Sequence, residues 1–216
     1  MKNLFKFVGS CFAAGLFIMV ALGCASQKFA SYNVSLSSVE SPADAKVQFG
    51  ETKVASFLDG SINKYTYEDD FIKITWFVDY RQFNFTLYNK SNHTIKINWD
   101  DISYVDYNGQ TGRVMHSGVK YTEKNNSQPS SMVPKGASIS DILLPTENVY
   151  LVVGQFGGWK EKPLIPNVFD KNTDIATAAG SFVGQTMTIL MPIYIENVQN
   201  DYIFTFNIDS YELPKK

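Results

Sequence analysis

Ile72, Ile74, Trp76, Val78 and Tyr80 recur at every second position, with Lys73, Thr75 and Asp79 between them. Successive strand side chains point to opposite faces, so this alternation describes a strand buried on one side and wet on the other. Phe83, Phe85 and Leu87 repeat it against Asn84, Thr86 and Tyr88, and Ile95, Ile97 and Trp99 do so against Lys96 and Asn98. The polar loop Asn89-Lys90-Ser91-Asn92-His93 lies between these last two, which read as an antiparallel hairpin. A second hairpin is expected where Ile102–Tyr107 meets Gln110–Met115. Its turn is Asn108-Gly109, the pair that best tolerates positive φ at both central positions of a type I′ turn.

The remaining chain fits the same pattern. Strands are expected at Tyr32–Val39, Lys46–Phe49, Thr52–Phe57, Ser138–Leu144, Val149–Val153, Thr186–Ile195 and Tyr202–Ile208. Asp59-Gly60, Pro134-Lys135-Gly136 and residues 197–201 read as turns, and residues 122–131 as a polar loop. Residues 154–172 read as irregular, broken by Gly157-Gly158, Pro163 and Pro166. Ile175–Ala179 reads as one helical turn capped by Thr173 or Asp174. Many short strands and no long amphipathic helix predict an all-β fold, an antiparallel sandwich with at most one short helix.

Cysteine bounds how such a fold is held. Cys11 and Cys24 are the only two, both near the amino terminus, so the chain beyond has no thiol for a disulfide or a metal site. Core packing must suffice, and aromatic residues at 14% supply it. The net charge is −2, and residues 1–23 hold Lys2 and Lys6 but no acid, so the remainder is more acidic still. That balance, with no long basic run, argues against nucleic acid as a partner.

The amino terminus carries the clearest address. Two lysines precede the apolar run Phe7–Leu22, which ends in Ala21-Leu22-Gly23-Cys24-Ala25-Ser26. A basic start, a short apolar core and a small residue before the cut describe a secretory signal. A cysteine directly after it resembles the lipobox of bacterial lipoproteins, with Ala21 where leucine is usual and Leu22 where a smaller residue is usual. The resemblance implies cleavage between Gly23 and Cys24 and a diacylglyceryl group on the Cys24 thiol. It implies a lipid-anchored protein of the cell envelope, at the outer membrane if there is one. An ordinary secretory signal and an uncleaved anchor helix remain open, the second short of the ~20 apolar residues a span needs. The expected organisation is a signal at 1–23, lipidated cysteine and tether at 24–44, and a β-sandwich at 45–216. Over residues 65–210, the Asn-Lys-Ser strand end, the Trp-Asp-Asp hairpin, the Pro-Lys-Gly turn and the last aromatic strand resemble immunoglobulin-like envelope domains. That likeness implies a fold and no activity.

Candidate chemistry is sparse. His93 falls in a loop, and His116 stands beside Ser117, whose side chain on the same strand would point to the other face. Two scattered histidines suit no zinc site, and no cofactor is implied. Glu68-Asp69-Asp70 and Asp100-Asp101 lack the spacing of a calcium loop and read as solvated acids at strand ends. As a carboxylate pair for glycoside hydrolysis, nothing in the sequence places them face to face. Trp76 and Trp99 read as core. Trp159 follows Gly157-Gly158 and precedes Lys160-Glu161-Lys162, so it either contacts a sugar or partner from a loop or tucks back to plug the sandwich. The leading expectation is a non-catalytic envelope lipoprotein binding a protein partner or helping assemble a surface complex. Its rival is a carbohydrate-binding module, and a lipid-anchored hydrolase comes third. A row of exposed, coplanar aromatics would favour sugar, and a larger apolar patch with a polar rim would favour a protein.

Overall fold

The computed structural model describes residues 29–40, 53–60, 62–168 and 174–213. The signal segment, Cys24 and the strand expected at Lys46–Phe49 lie outside the described residues.

The described chain is an antiparallel all-β sandwich with one short helix. In chain order its strands are β1 (Ser31–Glu40), β2 (Lys53–Asp59), β3 (Ile62–Glu68), β4 (Ile72–Val78), β5 (Phe83–Asn89), β6 (Ile95–Ile97) and β7 (Ser103–Val105). There follow β8 (Thr111–Met115), β9 (Ser131–Val133), β10 (Ser138–Pro145), β11 (Val149–Val152), β12 (Gly158–Glu161), β13 (Thr186–Ile195) and β14 (Val198–Glu212). Helix α1 (Ile175–Gly180) is capped by Asp174, whose side chain accepts the Ala176 N–H.

A single sheet path, β1-β14-β13-β7-β8-β10-β5-β4-β3-β2, doubles back on itself. Strand β10 makes the corner: Ser138–Leu143 pairs with β5, and Leu144 and Pro145 pair with β8. The two layers meet on the aromatic faces that the alternation marks. Trp76 of β4 lies 5.0 Å from Phe204 and 5.6 Å from Phe206 of β14, and Phe83 of β5 lies 5.0 Å from Phe206. Ile72, Ile74 and Trp76 are fully buried, as are Tyr202, Phe204, Phe206 and Ile208.

The expected β5–β6 hairpin does not form. β5 pairs with β4 and β10, whereas β6 pairs with β13 and β9 in the other layer. The reason is Asn89. Its buried side-chain amide donates to the carbonyls of His93 (2.7 Å) and Val133 (2.9 Å), and its Oδ1 accepts from the Ser91 N–H and hydroxyl. This clamp carries the chain across the sandwich instead of back along β5.

The second hairpin does form, Tyr104 pairing with Gly112, but with a different turn. Only Gly109 has positive φ (79°), and the Asp106 carbonyl accepts the Gly109 N–H (2.9 Å). Asp106 Oδ1 also accepts from the N–H groups of Asn108 and Gln110, so the loop is a type I turn closed by a glycine bulge. The type I′ geometry occurs instead at Glu196-Asn197 (φ 50° and 68°), joining β13 to β14 where a turn at 197–201 was expected. Gly109→Val should therefore cost about 1 kcal/mol or more in urea unfolding, since a β-branched residue resists this φ. Asn108→Ala should cost far less than a type I′ turn would demand.

Candidate functional site

Trp159 lies on a strand, not in a loop. β11 and β12 form a separate two-stranded ribbon in which Val149 faces Glu161, Tyr150 faces Lys160, Leu151 faces Trp159 and Val152 faces Gly158. The glycines that read as breakers build its turn. Gly154 and Gly158 take φ of 134° and 126°, and the Gly157 N–H donates to the Gly154 carbonyl (2.9 Å). A Cβ on Gly157 would stand 2.2 Å from the Val152 carbonyl oxygen, so only glycine fits there.

The ribbon has two unlike faces. Val149, Leu151, Trp159 and Glu161 share the one turned to the domain. On it Val149 is buried with Met115 and Leu144, and Trp159 packs edge-on against Tyr121 at 5.9 Å. The Tyr121 hydroxyl donates to Glu161, which also meets Arg81 at 3.5 Å, and this carboxylate foremost raises the Tyr121 pKa. Tyr150, Val152 and Lys160 occupy the other face, with the Lys162 ammonium 5.6 Å from the Tyr150 ring centroid. Trp159 is thus half-exposed, neither a plug in the sandwich nor a free platform. Beyond both faces, the tip leaves Val153 and Phe156 90% and 88% exposed.

Beside the ribbon base is a cleft of about 440 Å³ lined by Tyr104, Asp106, Glu147, Asn148, Lys162 and Pro163, among others. Burial raises the Tyr104 pKa, with a smaller push from Asp106, and the hydroxyl lies buried with no hydrogen-bond partner.

Each histidine stands beside one acid, in a different part of the fold. The His116 ring stacks flat on Trp99 (4.2 Å, 8°), and Nδ1 lies 3.2 Å from Asp141 Oδ2. Asp141 Oδ1 accepts the Ser117 N–H, so this Ser-His-Asp group is joined through the serine backbone. His93 pairs at the surface with Glu196 (2.6 Å). Asp100 accepts from Arg113 and Ser127, whereas Asp101 accepts from Asn98 and Tyr194. Among the described residues no three histidine or acidic side chains are grouped to hold a metal.

Asp69 corrects the solvated reading of its cluster. It is buried, and its carboxylate accepts the N–H groups of Phe71 and Ile72 (both 2.8 Å) and the hydroxyls of Tyr67 (3.2 Å) and Tyr202 (2.9 Å). Desolvation raises its pKa, and these four donors pull it part of the way back.

No protein-family model matches the chain, and no curated protein matches it significantly. Among solved structures it is similar to one described as "X-ray structure of Northeast Structural Genomics Consortium target SoR45". The two are 13% identical over 84% of this chain and 96% of that one, with a TM-score of 0.28.

Proposed function

We propose that the chain is a lipid-anchored, non-catalytic envelope protein whose sandwich binds a protein partner. The observation that carries the partner is strand β2, which among the described residues ends the sheet path and has β3 alone beside it. Residues 55–60 are exposed without alternation, and the adjacent Phe57 and Leu58, on opposite faces, are 46% and 71% exposed. Ile62, across the turn, adds to the apolar surface. An open edge with apolar side chains on both faces suits a protein that adds a strand: backbone hydrogen bonds give affinity and alternate side chains give specificity. Lys64 and Asp59, paired at 2.6 Å, supply a charged rim. The carbohydrate reading is less well supported. Its best residue, Trp159, leans on Tyr121, and Tyr150 lies on the opposite face of the ribbon, so the two form no common platform. The anchor rests on the lipobox-like Ala21-Leu22-Gly23-Cys24.

Both parts are testable in one set of cells. The wild type should incorporate labelled palmitate and Cys24→Ser should not; label retained in Cys24→Ser would end the anchor. Crosslinked pull-down from the envelope should recover a partner that Phe57→Asp with Leu58→Asp loses while the melting temperature holds. A partner recovered equally with this variant would end the role of the edge.

A further inference from the structure

We infer that the β11–β12 ribbon is a membrane-docking hairpin, its tip entering the headgroup region of the bilayer that carries the Cys24 lipid; this rests on the anchor proposed above. Three observations converge. The first is construction. Glycines at 154, 157 and 158 fix a tight turn with room for no side chain at 157, and that turn holds Val153 and Phe156 almost wholly in water. Both can be polar without harm to the sandwich, so their apolar character serves a contact outside it.

The second is the order of residues along the ribbon. Val153 and Phe156 stand at the tip, the Val152–Gly158 pair one step behind, then Leu151 with Trp159, then Tyr150 with Lys160, and Lys162 past the base. Apolar tip, then amphipathic aromatics, then lysines is the depth order of a segment entering an interface. Trp and Tyr settle at headgroup level, and lysine heads reach the phosphates while their stems stay in the apolar layer. The intervening acid, Glu161, is already engaged by Tyr121 and Arg81, leaving the lysines to face anionic headgroups.

The third is position. Five residues separate Cys24 from Ala30, and these six steps reach at most about 22 Å when fully extended. Ala30 and Ser31 line a small apolar cavity with Tyr80, Leu164 and Ile165. The Leu164 N–H donates to the Tyr80 carbonyl (2.9 Å), and the next residue, Arg81, meets Glu161 at the ribbon base. The chain therefore enters the domain beside the root of the ribbon, and a lipid at Cys24 keeps that end against the bilayer.

Trp159 gives the readout, because Trp76 and Trp99 are buried out of reach of lipid. The lipidated full chain, purified from its envelope, is placed in vesicles of phosphatidylethanolamine and phosphatidylglycerol with plain or brominated acyl chains. Bromine should quench one tryptophan's share of the emission in the wild type and none in Trp159→Phe. Val153→Asp with Phe156→Asp should keep the protein on the vesicles but abolish the quenching, at an unchanged melting temperature. Equal emission in plain and brominated vesicles that carry the wild type would overturn the docking and leave the anchor standing. Quenching by a chain that carries no palmitate would fail the anchor and keep the hairpin. A photoreactive group at position 156 should yield lipid adducts in intact envelopes; a protein adduct instead would also overturn the docking.

Discussion

Asp69→Ala should destabilise the sandwich by about 3 kcal/mol or more, read as a fall in the urea midpoint at unchanged slope. The substitution removes the carboxylate to which the N–H groups of Phe71 and Ile72 and the hydroxyls of Tyr67 and Tyr202 donate. Each buried donor left unmade costs about 1–3 kcal/mol. Asp69→Asn should cost much less, since its oxygen still accepts from the backbone. The pair of variants also isolates the charge. Folding raises the Asp69 pKa, so the folded state holds its proton to higher pH than the unfolded state does. The wild type should then lose stability relative to Asp69→Asn as pH rises from the unfolded value, about 4, through the raised folded value, and level off above it. A gap that widened on acidification instead would mean that the four donors outweigh desolvation.

That carboxylate also marks where sequence reading stops. The faces of β4, β5 and β14 are legible because each strand sets apolar residues at every second position against mostly polar ones, and burial follows the contrast. Asp69 is not, because the Tyr202 hydroxyl that helps bury it stands 133 positions away, and nothing local announces that meeting. The β5–β6 error has the same origin. A short polar loop between two alternating segments suits a hairpin, yet the pairing is decided by Asn89 reaching Val133, 44 positions on.

The candidate site was half legible. Trp159 stands out in the sequence for its neighbours, but Gly157-Gly158 conceals its strand, because glycine weakens a regular strand and equally permits a tight ribbon turn. The signal available was the apolar run Val149–Val152 and the short Trp159-Lys160-Glu161 on either side of a glycine-rich link. The exposure of β2 left no such trace. Thr52–Phe57 reads as one more short strand, and nothing in it marks the end of the described sheet path that leaves Ala55 and Phe57 in water.

Trp76→Ala should be among the most damaging single changes, costing about 3–5 kcal/mol as large-to-small core substitutions do. Its ring is fully buried and touches Phe85 of its own layer and Phe204 and Phe206 of the other, so truncation opens a cavity at the seam between layers. Trp76→Phe should cost markedly less than the volume lost implies. The indole N–H of Trp76 is buried with no acceptor, and the smaller ring removes that unpaired donor with the volume. Trp159→Ala tests the opposite situation. Its ring is 36% exposed, and among the described residues its ring contact is Tyr121, an edge-on pair worth about 0.5–1.5 kcal/mol. Urea unfolding of the three variants should therefore rank Trp76→Ala far below Trp159→Ala, with Trp76→Phe between it and the wild type. If Trp159→Ala matched Trp76→Ala, Trp159 would be a plug of the sandwich, and the ribbon would owe its aromatic face to folding instead of to contact with a surface.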